Sequence, residues 1–313
     1  CSGTWHDAIR ANFRGDRDDC VRESGRLTTQ FSLNEALELT SGWPQLLAQA
    51  YRLANSFTLG GHGRRRAGAG DVFWQFRSAQ MGDSLQMIDW RRSAQADDQF
   101  VRENEWQAAQ SVQFWVDASA SMQFSSEGDS KHHRAATLAL AVAILLSNAG
   151  EKVGSSDKLL PAKPGRAQIS ALAQLFSSTV DSDFGSPQAD NLKPQSIAVF
   201  ISDFFGDFAE LERSVTAAAD QQVYGTLLMI LDPQEVSFPF SGRTLFESMS
   251  GNLRHESQKA DGLRAKYLSV LRDRQVALAS LAQSVGWQFH CHTTDQPTST
   301  GLMWLYQALE YRQ

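Results

Sequence analysis

Hydrophobic spacing changes character along this chain and divides it into three. Residues 1–33 are polar and rich in Arg and Asp, with no sustained period. Such a segment is expected to pack poorly or to be mobile. From Asn34 to Ala54, Leu39, Trp43, Leu46, Leu47, Ala50 and Leu53 recur at helical spacing, with Pro44 as an interruption. The glycine-rich "LGGHGRRRAGAGD", Leu59–Asp71, reads as a loop. The aromatic and charged stretch from Asp71 to Gln107 carries short strand-like pieces, broken at Gly82-Asp83 and at Ala96-Asp97-Asp98. Residues 34–110 are therefore predicted to form a helix plus a small β-rich arm.

From residue 111 to residue 313 short apolar runs alternate with helical patterns. "VQFWVD", "KVGS", "SIAVFISD", "VYGTLLMILD" and "WQFHCH" read as strands. "HRAATLALAVAILLSNAG", "AQISALAQLFSS", "DFAELERSVTAAADQQ", "DGLRAKYLSVLRDRQVALASLAQSVG" and "TGLMWLYQALEYR" read as helices. The stretch before the fourth of these helices reads as irregular. Nearly continuous apolar strands between helices predict an α/β fold: a doubly wound, mostly parallel sheet with helices on both faces.

Composition narrows the class. The 313 residues carry a net charge of −6, which disfavours a nucleic-acid-coating surface. Three cysteines, Cys1, Cys20 and Cys291, form no CxxC pair, so neither a disulfide framework nor a cysteine-built zinc site is expected. A reducing, cytoplasmic setting suits this usage. No apolar run reaches the roughly 18–20 residues that a membrane span needs.

In a doubly wound sheet, ligands bind beyond the carboxyl ends of the strands, where strand order reverses. Three strands here end in an acid: Asp117, Asp203 and Asp232. If the strands ending in Asp117 and Asp203 are neighbours, their carboxylates face each other above the sheet. Ser119 and Ser121 lie on the loop leaving the first of them. Carboxylates and hydroxyls are hard oxygen ligands that suit Mg²⁺, with Mn²⁺ or Ca²⁺ as substitutes. A turn with side-chain caps on the next helix is the plainer reading of Asp-x-Ser-x-Ser alone.

"DASAS", Asp117–Ser121, and the later "ISDF" resemble the metal-ion-dependent adhesion motif of von Willebrand factor A-type domains. The upstream segment resembles more narrowly a bacterial family catalogued as domain of unknown function fifty-eight. Gly82, Asp83, Ile88, Asp89 and Trp90 carry that likeness, with Ser93-Ala94, with Arg102, Glu103 and Glu105, and with the later "LDPQE". The resemblance runs from about Leu59 to the C-terminus. It implies a strand order of 3-2-1-4-5-6 and a metal site at Asp117, Ser119, Ser121 and Asp203. It also implies work beside a MoxR-type AAA+ ATPase and other von Willebrand A-type proteins, in chaperone-like assembly or maturation. Adhesion-type sites take a further ligand, a threonine, from a distant loop. Here that loop offers Thr179, Ser182 or Ser186, and the sequence does not choose among them.

The expected function is a non-enzymatic, Mg²⁺-dependent interaction module. One alternative is a Mg²⁺-dependent phosphohydrolase using Asp117 as nucleophile. Haloacid-dehalogenase-type enzymes, however, have Asp-x-Asp where this chain has Ser119. No Gly-x-Ser-x-Gly elbow is present. The other alternative is a metal-free scaffold. Arg64, Arg65, Arg66, Arg91 and Arg92 are candidate partner contacts, since guanidinium forks suit carboxylates and phosphates. Asp89 and Trp90 are expected to be structural. His132 and His133 are expected to be solvated residues at a helix start, and His290 and His292 polar residues at a strand end.

Overall fold

The computed structural model describes residues 45–56, 65–68, 72–80, 84, 88–94, 98–107, 109–156, 160–242, 244–247, 254–257 and 261–310. The expectation for residues 1–33 lies outside them, as does the position of Arg64. Two compact units emerge: residues 59–110, and the rest of the chain.

The larger unit is built on five parallel strands: β4 (Ser111–Val116), β5 (Lys152–Ser155), β6 (Ile197–Ser202), β7 (Tyr224–Leu231) and β10 (Gln288–Thr293). Their order across the sheet is β10-β7-β6-β4-β5, with β4 beside β6. This bears out the doubly wound α/β expectation and the adjacency on which the site depends. The implied sixth strand, outside β5, is reduced among the described residues to one antiparallel bridge between Val153 and Lys163.

The central strands bury both faces, so their apolar residues sort alternately between two cores. In β6, Ile197, Val199 and Ile201 join one cluster, while Ala198 and Phe200 join the other. The first core holds α3 (Lys131–Asn148), α4 (Arg166–Phe176) and α8 (Thr298–Glu310). The helix of residues 45–55, here α1, adds Leu46, Ala50 and Ala54 to it. That helix shares the core of the larger unit, whereas the arm that follows it belongs to the smaller one. The second core holds α5 (Phe208–Asp220) and α7 (Asp261–Ser284).

α3 explains the most apolar run of the sequence. It is buried from Ala135 to Leu146, as a helix enclosed by other elements must be. It stops at Ala149, and Gly150 follows at φ 88°, a conformation that suits glycine. Among the described residues no helix is long and apolar enough to cross a membrane.

The smaller unit is a three-stranded antiparallel sheet, β1 (Arg65–Gly68), β3 (Phe100–Gln107) and β2 (Val72–Ser78), with β3 central. Arg65 and Arg66 stand opposite Gln107 and Trp106. Asp89 caps the short helix α2 (Trp90–Ser93) by accepting from Arg92 N–H at 3.0 Å. Trp90 corrects the expectation made for it. Ile88 is buried, but Trp90 is 56% exposed. The stretch read as irregular also contains an antiparallel pair, β8 (Thr244–Glu247) with β9 (Arg254–Ser257).

Phe200 is the pivot of the second core, with its ring edge-on to Trp115 at 6.0 Å and to Trp287 at 5.4 Å. Phe200→Ala is expected to cost about 3–5 kcal/mol, as buried Phe truncations do. Urea denaturation of the full chain reads this as a lower midpoint at unchanged slope.

Candidate functional site at the carboxyl edge of the sheet

β4 and β6 end side by side, and each is followed at once by an acid. Asp117 and Asp203 are both almost fully buried, as are Ser119 and Ser121. The turn after β4 folds back on its own carboxylate: Ser119 N–H donates to Asp117 Oδ1 at 2.9 Å. Residues 120–123 then form a single 3₁₀ turn that carries Ser121 inward. Ser119 Oγ and Ser121 Oγ stand 3.2 Å apart, and Ser121 Oγ donates to Asp203 Oδ2 at 2.7 Å. The four residues singled out in the sequence are therefore brought together.

Their donor set fits a small divalent cation. All the donors are oxygens. The hydroxyl separation is close to the roughly 3.0 Å between adjacent ligands of an octahedron with bonds of about 2.1 Å. Ser121 gives its proton to Asp203, so in its contact with Ser119 it is the acceptor and the Ser119 hydroxyl the donor. Among the described residues no three His, Cys, Asp or Glu side chains converge as a metal cluster, so the fit rests on the hydroxyls.

The turn after β6 is made differently. Phe204 adopts φ 50°, a left-handed conformation that disfavours a bulky side chain. The surroundings hold it there. Ser202 Oγ accepts from Phe204 N–H at 2.9 Å, and Asp203 Oδ1 from Phe205 N–H at 3.1 Å. Arg274 of α7 donates to the Phe204 carbonyl at 2.8 Å and also to the Gly206 carbonyl. Ser202 Oγ further donates to Asp117 Oδ2 at 2.6 Å, locking the two strand ends together.

The distant loop reaches the site through its backbone. Ala120 and Ser121 N–H groups donate to the carbonyls of Ser182 and Asp183, at 2.8 and 3.0 Å. Gly185 lies against Asp117, where a Cβ would come within 2.3 Å of Oδ1. Thr179 and Ser182 are exposed, and Ser186 is half-buried. The residue of this loop pressed against the carboxylate is thus a glycine.

Sequence reasoning missed the cation in the site. Lys131, in the first turn of α3, is fully buried. Its Nζ donates to Asp203 Oδ2 at 2.8 Å and to Glu235 Oε1 at 2.7 Å, and lies 5.2 Å from the centre of the Phe205 ring. Glu235 belongs to α6 (Pro233–Ser237), whose capping box it completes by accepting from Asp232 N–H at 2.9 Å. Asp232 is a structural cap, bonded to Gln234 N–H and to Ser126. The "LDPQE" pattern was a usable signal for that box. Nothing in "SKHHR" marked Lys131 as buried.

His132 corrects the expectation of a solvated residue, while His133 stays partly exposed. His132 is buried, with Nδ1 3.0 Å from the Asp117 carbonyl and Nε2 2.8 Å from that of Phe176. It therefore ties the site turn to the end of α4. His133 Nε2 meets Gln49 Oε1 at 2.6 Å, joining α3 to α1. At the far strand, His292 is buried beside Arg134, which also donates to the carbonyls of Thr294 and Gln296. His290 stacks on Trp304.

Burial sets the electrostatics. Loss of solvation pushes the Asp117 carboxyl up, and the charge of Asp203 adds to the rise. Burial pushes Glu235 up to about 7, against the pull of Lys131. Burial works against the Lys131 ammonium, but Asp203 and Glu235 outweigh it and hold its pKa above the ordinary value. Glu235 thus binds its proton more tightly folded than unfolded. Its contribution to stability is full below about 4.5, the unfolded value, and is lost as pH rises through about 7. Thermal unfolding from pH 4.5 to 8 should show stability falling with pH in this window. Glu235→Gln should flatten that component, and an unchanged profile would reject the assignment.

The family model described as "Protein of unknown function DUF58" matches residues 75–277. The uncharacterized proteins Mb1516 of Mycobacterium bovis and Rv1480 of Mycobacterium tuberculosis are each 23% identical over 236 residues. Each match covers 70% of this chain and 73% of the relative. Among solved structures, the conserved hypothetical protein BatB of Bacteroides thetaiotaomicron matches 64% of this chain and 98% of its own. Its identity is 14% and its TM-score 0.39. The segment covered by the family model includes the strand ends, the serine turn, Lys131 and the α6 capping box, and the chain belongs to the DUF58 family.

Proposed function

We propose that this protein is a non-enzymatic, Mg²⁺-dependent interaction module of von Willebrand A-like type, serving as adaptor to a MoxR-type AAA+ ATPase in chaperone-like assembly or maturation. One observation carries the metal half of this reading: Asp117, Ser119, Ser121 and Asp203 converge as hard oxygens at the carboxyl edge of adjacent parallel strands. The ATPase half rests on the family resemblance of the arm and the serine turn. Ser119, Ser121 and Asp117 would hold the ion, and Asp203 would orient Ser121 and supply the second negative charge of the site. When bound, Mg²⁺ would supply positive charge to which a partner carboxylate is drawn.

The phosphohydrolase alternative is disfavoured because the chain has Ser119 where a haloacid-dehalogenase-type site has its second aspartate. The site serines face each other and Asp203, while the His132 ring is turned to two backbone carbonyls. A metal-free scaffold is the second reading, favoured by the ammonium of Lys131 on Asp203. In the arm, Arg91 and Arg92 are exposed, and the Arg92 guanidinium lies 4.5 Å above the Phe76 ring and 5.3 Å from that of Phe100. With Arg65 and Arg66 they are proposed partner contacts.

Pull-down of the cognate ATPase by the full chain, with Mg²⁺ or with EDTA, separates the two readings. Ser119→Ala, Asp117→Ala and chelation should each weaken capture about ten-fold or more, equivalent to about 1.4 kcal/mol. Capture unchanged under all three conditions would leave the metal-free scaffold.

A further inference from the structure

We propose that Lys131 is a resident counter-cation that competes with a divalent ion for Asp203 and sets this site to bind metal weakly. This rests on reading Asp117, Ser119, Ser121 and Asp203 as an ion site, and adds a residue that the reading does not require. The competition centres on one oxygen. Asp203 Oδ2 accepts both the Lys131 ammonium, at 2.8 Å, and the Ser121 hydroxyl, at 2.7 Å. The charge of Asp203 is therefore shared with a cation before any ion arrives. Bonds of about 2.1 Å, 2.7 Å and 2.8 Å in series keep Nζ within about 8 Å of an ion seated on Ser121. At that range, and away from bulk water, like charges repel strongly.

The ammonium is not placed to swing aside. Lys131 has no exposed surface, and its second contact is Glu235 Oε1 at 2.7 Å. Glu235 is itself held by the Asp232 N–H at 2.9 Å. Withdrawal of Lys131 would leave two buried carboxylates without their cation. An arriving ion thus meets one uncompensated carboxylate, Asp117, and one compensated by lysine. Weak metal binding in the free protein makes occupancy depend on a further anionic ligand, which a partner would bring. Lys131 acts through Asp203, so it is a positioning residue and not a ligand.

The experiment uses the full chain as wild type, Lys131→Met and Lys131→Met/Glu235→Gln. MgCl₂ is titrated calorimetrically at pH 7.5 and fixed ionic strength, and thermal unfolding is recorded with and without MgCl₂. Lys131→Met should lower Tm in EDTA yet bind Mg²⁺ at least ten-fold more tightly, with Tm recovering as MgCl₂ is added. The double variant removes one charge of each sign. It should regain stability in EDTA and keep the tighter binding, so it decides the matter if the single variant fails to fold. A lysine with a merely structural role would lower Tm equally with and without Mg²⁺. Mg²⁺ binding by the wild type with equal or weaker binding by the variants overturns the role of Lys131 and leaves the metal reading standing. Binding by the variants alone supports the competition and shows the wild-type site to be held empty by its lysine. No binding by any of the three overturns both.

Discussion

A buried ammonium makes the carboxyl edge of this sheet possible. Asp117, Asp203 and Glu235 are all sealed from water, and burial pushes the carboxyls of Asp117 and Glu235 up. Lys131 bonds to two of the three. Removing one partner of such a buried pair costs about 3–5 kcal/mol in other proteins, because the remaining charge is left uncompensated. The pairing also ties three pieces of chain: the first turn of α3, the end of β6 and the capping box of α6. The turn after β4 joins through Ser121, and Ser126 through Asp232.

Around that charge the backbone is held in conformations it would not choose. Phe204 lies at positive φ, and local hydrogen bonds and the Arg274 fork keep it there. Strain of this kind persists only where the surroundings over-determine it. Gly185 makes the complementary move, removing a side chain so that its loop can lie directly on Asp117. The outcome is a closed site whose hydroxyls are fixed in direction. Fixed hydroxyl direction serves ligation better than it serves a nucleophile, which needs a base to take its proton.

Membership of the DUF58 family identifies kinship without assigning chemistry, so the functional reading has to come from the site. The separation of the two serine oxygens and the pairing of Ser121 with Asp203 distinguish this turn from an ordinary helix cap. Ser130 shows what a cap looks like in this chain: its hydroxyl accepts from His133 N–H, and it starts α3. Ser121 instead points across to the neighbouring strand end.

Much of the architecture was legible in the residues themselves. The alternation of apolar runs and helical stripes marked the five parallel strands and their helices, because burial on both faces leaves the central strands few polar positions. The acids at the strand ends stood out for the same reason, as abrupt charges closing apolar runs. Asp117, Ser119, Ser121 and Asp203 could therefore be named from spacing and from family likeness. Lys131, Glu235, His132 and Gly185 could not, since each looks like an ordinary helix-start, cap or loop residue. Their importance comes from contacts across 15 to 104 residues of sequence, made only when β6 and α6 close over the first turn of α3. The sequence by itself determined the sheet, its helices and the acids at its edge, through local period and burial. Tertiary packing alone decided that one of those acids is neutralised by a buried lysine, because the balance of charge in a closed site depends on neighbours that no local pattern encodes.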